Sequence, residues 1–177
     1  MPLPILATAL AFVAGCMLVD IRTRRIPNLL SGSVMLVGTV LNTLYLGYPG
    51  LFTSFAGIFL AMAVLIIPFA LGGIGAGDVK MMGAVGALLG PRLALSSLGV
   101  GMILGGAIMV AHLVRLGRLG EKLRSTGGMF SAAAATGSLE PLRLSADNQT
   151  AIALPYSVPL GLGVVAVVTL AARAGVS

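Results

Sequence analysis

Two of the five acidic residues in this 177-residue chain stand where a charge is costly. Asp20 follows an apolar run at about 3–19, and Asp78 precedes another at about 79–90. The other three acids lie in a more polar stretch after residue 115, where a solvated charge is ordinary. Because ionisable groups are expensive to keep beside apolar segments, Asp20 and Asp78 are the candidates for chemistry.

Two carboxyl groups that folding brings together could hydrolyse a peptide bond. Both cannot ionise readily when they are adjacent, so they share one proton. The ionised group can then deprotonate a water molecule while the protonated group polarises a substrate carbonyl, as in aspartic proteases. Gly75 and Gly77 leave the backbone before Asp78 without Cβ atoms, so another helix or an extended peptide could approach closely.

Other interpretations of this glycine-rich stretch fail on spacing. A dinucleotide-binding fingerprint needs a third glycine where Lys80 stands, and a Walker A loop needs Gly-Lys-Ser/Thr where Asp78 follows Gly77. A metal site would need more ligands than two aspartates, and we expect neither a metal nor an organic cofactor. Purely structural roles also stay open: Asp78 as a helix N-cap, and Asp20 as a helix-end charge paired with Arg22 or a neighbouring arginine.

The composition is that of an integral membrane protein. The chain is 58% hydrophobic and 9% charged, with a mean hydropathy of +1.07, whereas soluble domains are about 45–50% apolar and about 25% charged. Most of its apolar runs reach the roughly 17–25 residues that cross a bilayer. We predict an all-α polytopic protein of six transmembrane helices, forming one domain over residues 1–177. The runs lie at about 3–19, 29–46, 51–71, 79–90, 93–114 and 154–172.

The fourth run is short, since about 12 residues rise only about 18 Å in a helix. Either this helix is short or the bilayer thins over it. We place the turn after it at Gly90, Pro91 and Arg92, because proline cannot continue a helix. A turn at residues 96–101 (SSLGVG), which would lengthen the fourth helix, is the alternative.

The placement of the basic residues predicts the orientation. Of the 11 lysines and arginines, only Arg92 and Arg173 fall at one end of the predicted helices. By the positive-inside rule the other end is cytoplasmic and both termini are outside, in the periplasm. The cytoplasmic loops are then about 20–28, 72–80 and 115–153, and the basic excess does not imply nucleic acid. The cytoplasmic group is Arg22, Arg24, Arg25, Lys80, Arg115, Arg118, Lys122, Arg124 and Arg143.

Two motifs resemble those of a known family. The sequence "DIRTRRIPN" (residues 20–28) follows the first apolar run, and "GIGAGDVK" (residues 73–80) comes about fifty residues later. Together they resemble the type IV prepilin peptidases, membrane aspartyl proteases with a Gly-x-Gly-Asp motif. The segment "LPYSVPLGLG" (residues 154–163) resembles the Pro-Tyr segment near the end of these enzymes.

The resemblance implies a bacterial inner-membrane enzyme that cuts the basic leader from pilin precursors at the cytoplasmic face. Its expected partners are those precursors and the lipid bilayer, and its catalytic pair falls on Asp20 and Asp78. The other matched positions, expected to bind substrate or shape the active site, are Gly75, Gly77, Lys80, Arg25, Ile26, Pro27 and Asn28.

The connection after the first helix indicates a short member of the family. Large bifunctional members carry a cysteine-bearing segment there and also N-methylate the trimmed pilin. Here that segment is missing and Cys16 is the only cysteine, so methyltransferase activity is not expected. The chain resembles the short peptidases that serve tight-adherence (Flp-type) pili.

Two alternatives remain from the residues. An intramembrane protease of the presenilin or signal-peptide-peptidase kind also uses Gly-x-Gly-Asp, but its first aspartate follows a tyrosine, whereas Val19 precedes Asp20 here. A non-catalytic membrane scaffold or a small proton-coupled transporter is the other alternative, since two buried acids on separate helices also fit a proton relay.

Overall fold

The computed structural model of the protein describes residues 2–23, 26–70, 73–117 and 156–174, with the single residues 120, 124 and 128. These residues contain five α-helices and no strand, which confirms the all-α prediction for this part of the chain. The helices are α1 (Leu3–Thr23), α2 (Asn28–Leu46), α3 (Tyr48–Ala70), α4 (Ala76–Arg115) and α5 (Ser157–Arg173).

Four of these helices, α1 to α4, are long and apolar enough to cross a membrane. The fifth, α5, is apolar but has only 17 residues. Large apolar side chains on the outer faces of the bundle are exposed, among them Leu36, Phe52 and Ile103, as expected where a protein meets lipid. The prediction of a multi-pass membrane protein is therefore supported, while six separate spans and the position of the termini stay predictions.

The predicted fourth and fifth helices are the two halves of α4, which is broken at Gly90. This residue has φ 74° and ψ 176°, a conformation that favours glycine, and Pro91 follows it. The predicted turn at Gly90 is confirmed, and the alternative turn at residues 96–101 is wrong because those residues are helical. An unbroken helix of 40 residues would be about 60 Å long, against about 30 Å of hydrocarbon.

Two polar side chains satisfy the carbonyl groups that the break leaves without helical donors. Pro91 has no N–H to donate to the carbonyl of Ala87 four residues earlier. Instead, Asn42 Nδ2 of α2 donates to Ala87 O at 2.8 Å, and Ser54 Oγ of α3 donates to the same oxygen at 2.8 Å. Asn42 Nδ2 also lies 3.0 Å from Leu88 O. Three helices are thereby joined at the break.

The first half of α4 (residues 76–89) occupies the centre of the bundle. Residues 81–90 are all buried, and small residues let the neighbouring backbones approach closely. A Cβ atom added to Gly57 of α3 would overlap the carbonyl oxygen of Gly86, and one added to Gly86 would overlap that of Gly57. Since this half-helix is enclosed by protein, its shortness requires no thinning of the bilayer.

The second half of α4 (residues 91–115) runs back along α5. A Cβ atom on Gly163 would overlap the carbonyl oxygen of Ser97, and one on Gly101 would lie 2.8 Å from Leu160 Cα. On its other side α5 packs on α1, where Gly161 faces Met17. The end of α1 and the beginnings of α4 and α5 consequently lie at one end of the bundle.

Several helix boundaries differ from the sequence prediction. Asp20 lies inside α1, which continues to Thr23, and Lys80 lies inside α4, which begins at Ala76. The predicted loops at 20–28 and 72–80 are therefore shorter, and most of 115–153 lies outside the described residues. Polar residues can extend a helix end beyond its apolar run because the helix keeps their backbone groups hydrogen-bonded.

We expect Asn42→Leu to destabilise the protein by roughly 1–3 kcal/mol, because it removes the side-chain donor to the buried Leu88 carbonyl and one of the two side-chain donors to the Ala87 carbonyl. Thermal or denaturant unfolding in detergent measures the change. Thr39→Val is the matched control, since the Thr39 hydroxyl bonds only to Met35 O of its own helix. Equal stability of the two variants would contradict the role given to Asn42.

Candidate active site

Asp20 lies in the last turn of α1, and its side chain is only 9% exposed. Ser157 Oγ, at the beginning of α5, donates a hydrogen bond to Asp20 Oδ2 at 2.5 Å. The exposed Arg22 forms no ion pair with Asp20, and Arg24 lies outside the described residues. Among the described residues, the hydrogen-bond donor to Asp20 is a buried hydroxyl, and the side chain does not face water as the structural interpretation of Asp20 expected.

Asp78 lies in the first turn of α4 and is 7% exposed. The N-cap of α4 is Gly75, so the interpretation of Asp78 as the N-cap itself is wrong. Asp78 is the third helical residue, and its Oδ2 accepts a hydrogen bond from Gly75 N at 3.3 Å. This is the backward-reaching half of a capping box, which leaves the carboxyl group partly free for another use.

The two carboxyl groups are near neighbours at this end of the bundle. The charge of Asp20 acts on Asp78, and the charges of both act on the thiol of Cys16. Cys16 is fully buried one helical turn before Asp20, so the thiol lies on the interior side of the carboxyl pair. The fold therefore places both acids at the same end of the bundle, within reach of each other's charge, and their role as a catalytic pair stays a prediction.

The connection between α1 and α2 packs over the beginning of α4. A Cβ atom on Gly77 would lie 3.3 Å from Ile26 Cβ, and Ile26 is 7% exposed. The close approach predicted at this glycine is thus made by the first connection of the chain itself. At Gly75 an added Cβ would meet Asp78 Oδ2 at 3.4 Å, an ordinary contact, so sterics do not require glycine there.

Lys80 and Asn28 link the two sequence motifs directly. Lys80 Nζ donates to Asn28 Oδ1 at 2.8 Å across 52 positions of sequence. Asn28 is itself the first residue of α2, Pro27 is the N-cap, and no side chain caps the helix. Pro27 has the extended backbone, at ψ 134°, that leads into the helix. Arg25, the remaining predicted site residue, lies outside the described residues.

The sequence prediction missed Ser157 as a contact of the carboxyl pair. Ser157 and Asp20 are 137 positions apart, and a single serine carries no signal of its own. The available signal was the resemblance of residues 154–163 to the family's Pro-Tyr segment, which contains Ser157. Among the described residues, no group of three or more His, Cys, Asp or Glu side chains could hold a metal ion.

Comparison with known proteins gives one match. Residues 6–110 match the sequence profile of the type IV leader peptidase family. This region begins in α1 and ends in the second half of α4, so it includes Asp20 and Asp78 but not α5. No curated protein and no solved structure matches the chain.

The contact between Lys80 and Asn28 predicts that their substitutions are coupled. In a double-mutant cycle of Lys80→Met and Asn28→Ala, we expect a coupling of roughly 0.5–1 kcal/mol in the free energy of unfolding. The cycle of Arg22→Met with Asn28→Ala is the control and should be additive. Additivity in both cycles would show that the Lys80 contact contributes nothing.

Proposed function

The chain belongs to the type IV leader peptidase family, and on that basis we propose that it trims Flp-type pilin precursors in the bacterial inner membrane. The family makes it a peptidase, and its apolar helices fit a multi-pass membrane protein. We further propose its chemistry and its substrate. The protein is an aspartyl endopeptidase that removes the basic leader of the precursor by means of Asp20 and Asp78.

One observation carries the proposal: two buried carboxyl groups, from α1 and α4, lie close enough for their charges to interact. Two like charges in such a place favour a single shared proton. One group is then ionised and the other protonated, which is the starting state of aspartic protease chemistry. Isolated helix-end charges would instead be solvated, and neither Asp20 nor Asp78 is.

In the proposed reaction a water molecule lies between the carboxyl pair and the scissile carbonyl carbon. The ionised carboxylate takes a proton from the water as the water oxygen bonds to carbon, and the protonated carboxyl donates a hydrogen bond to the carbonyl oxygen. Collapse of the tetrahedral intermediate breaks the C–N bond, and the leaving amine takes a proton from the carboxyl pair. The pair then holds one proton again.

The charge distribution supports a cytoplasmic position for this end of the bundle. Arg22 and Lys80 lie beside the carboxyl pair, and Arg115 ends the half of α4 that runs back to it. Arg92 and Arg173 lie at the opposite end. By the positive-inside rule the carboxyl pair faces the cytoplasm. A precursor with a cytoplasmic leader and a membrane helix would present its cleavage site at that level.

We expect Asp20→Asn and Asp78→Asn each to abolish trimming, with a loss of at least about 1,000-fold, because each removes a group that moves a proton. The assay incubates the membrane-expressed protein with a Flp-type precursor and maps any new N-terminus, expected directly after a glycine. The released pilin should carry no N-methyl group.

Glu140→Gln is the matched control, since it removes a carboxylate from the long connection, and it should retain native activity. Full cleavage by either purified aspartate variant would overturn the mechanism. A cut within the apolar helix of the precursor would identify an intramembrane protease instead. Proton-coupled flux in liposomes that Asp78→Asn removes, without any cleavage, would identify a transporter.

The proposed orientation predicts how introduced cysteines react. Tyr48 is 81% exposed at the end away from the carboxyl pair, and Arg22 is exposed beside the pair. A membrane-impermeant maleimide should label Tyr48→Cys in intact spheroplasts and label Arg22→Cys only after the membrane is opened. The buried Cys16 of the native chain serves as the unlabelled control. The reverse pattern would place the pair in the periplasm.

A further inference from the structure

Ser157 makes the shortest side-chain contact of the carboxyl pair. Its side chain is fully buried at the first residue of α5, and its hydroxyl donates to Asp20 Oδ2 at 2.5 Å. Ser157 lies outside residues 6–110, the region that matches the family profile. The family match therefore says nothing of its role.

The bond is short, in the range that suits a charged acceptor. Hydrogen bonds from a hydroxyl to an oxygen are about 2.5–3.0 Å long, and those to a carboxylate lie at the short end, about 2.5–2.7 Å. Asp78, by contrast, accepts its hydrogen bond from Gly75 N at 3.3 Å, which is longer than the usual N–H···O distance of about 2.7–3.2 Å. Of the two carboxyl groups, Asp20 therefore has the closer hydrogen-bond donor.

The bond also fixes the direction of the Asp20 side chain. A hydroxyl has a single proton and can donate one hydrogen bond, which Ser157 donates to Oδ2. The other carboxyl oxygen of Asp20 therefore stays available for a water molecule. The hydroxyl is itself held in place, because α5 packs closely on α4 through Gly101 and Gly163 and on α1 through Gly161. A donor on a rigid helix can hold a carboxylate to within a fraction of an ångström.

We propose that Ser157 is a positioning residue that holds Asp20 as the ionised member of the pair and leaves its second oxygen to deprotonate water. Asp78 then keeps the shared proton and polarises the scissile carbonyl. This inference rests on the proposed peptidase function. It adds a third residue, from the last helix, to the pair that the two sequence motifs supply.

The test compares Ser157→Ala and Ser157→Thr in cleavage of a synthetic precursor with a basic leader, a glycine at the cut and an apolar segment. Ser157→Ala should lower kcat roughly 10- to 100-fold and leave KM within about twofold of native. The reason is that the lost hydrogen bond is made to the reacting Asp20 carboxylate and not to the substrate. Ser157→Thr, which keeps the hydroxyl, should restore most of kcat.

Ser97→Ala is the matched control. The Ser97 hydroxyl is also fully buried but has no hydrogen-bond partner in the described part of the chain. The kcat of the Ser97→Ala variant should therefore stay native. If Ser157→Thr does not fold, kcat of Ser157→Ala is compared with kcat of Ser97→Ala. A kcat roughly 10- to 100-fold lower for Ser157→Ala supports the positioning role, and equal values contradict it. Thermal unfolding of each variant separates loss of folded protein from loss of kcat.

The outcomes distinguish the two proposals. A native kcat for folded Ser157→Ala, or a rise in KM without a change in kcat, would overturn the positioning role alone. Absence of cleavage by the native protein, with a precursor that an established prepilin peptidase does cut, would overturn the proposed function and this inference with it.

Discussion

Inside a membrane bundle, backbone polar groups have no water to bond with and need donors or acceptors from the protein. In this bundle the need arises at the break in α4, where helical hydrogen bonds are interrupted. Gly90 and Pro91 end a helix that would otherwise be far too long for a bilayer. The carbonyl of Ala87 then needs a new donor, which Asn42 and Ser54 provide from two other helices. This set of bonds ties α2 and α3 to α4 at the point where α4 reverses direction.

Close backbone contacts at glycines pack the helices together between the break and the other end of the bundle. Gly57 and Gly86 join α3 to the first half of α4, and Gly101 and Gly163 join its second half to α5. Together with the packing of Gly161 on Met17, these contacts place the end of α1 and the starts of α4 and α5 side by side. Rigid supports of this kind suit a site that must hold two carboxyl groups in one geometry.

The two aspartates have structural contacts beside the chemical role proposed for them. Asp78 reaches back to the N-cap of α4, which fixes the first turn of that helix while leaving the group beside Asp20. Burial of both acids would also suit a proton relay, but the match to a peptidase family favours proton transfer within a hydrolytic reaction. Lys80, which the sequence left without a clear role, bonds Asn28 and so ties the second motif to the first.

The sequence by itself determined the membrane class, the helical content, the break at Gly90 and the two motif aspartates, because apolar length, proline chemistry and motif spacing are local properties. It misjudged where helices end at Asp20, Asn28 and Lys80, since a polar residue can continue or stop a helix equally well. Only the tertiary structure decided that Ser157 meets Asp20 and that Asn42 meets Ala87. Such contacts join positions 137 and 45 residues apart, and they arise from how helices pack, which no local pattern records.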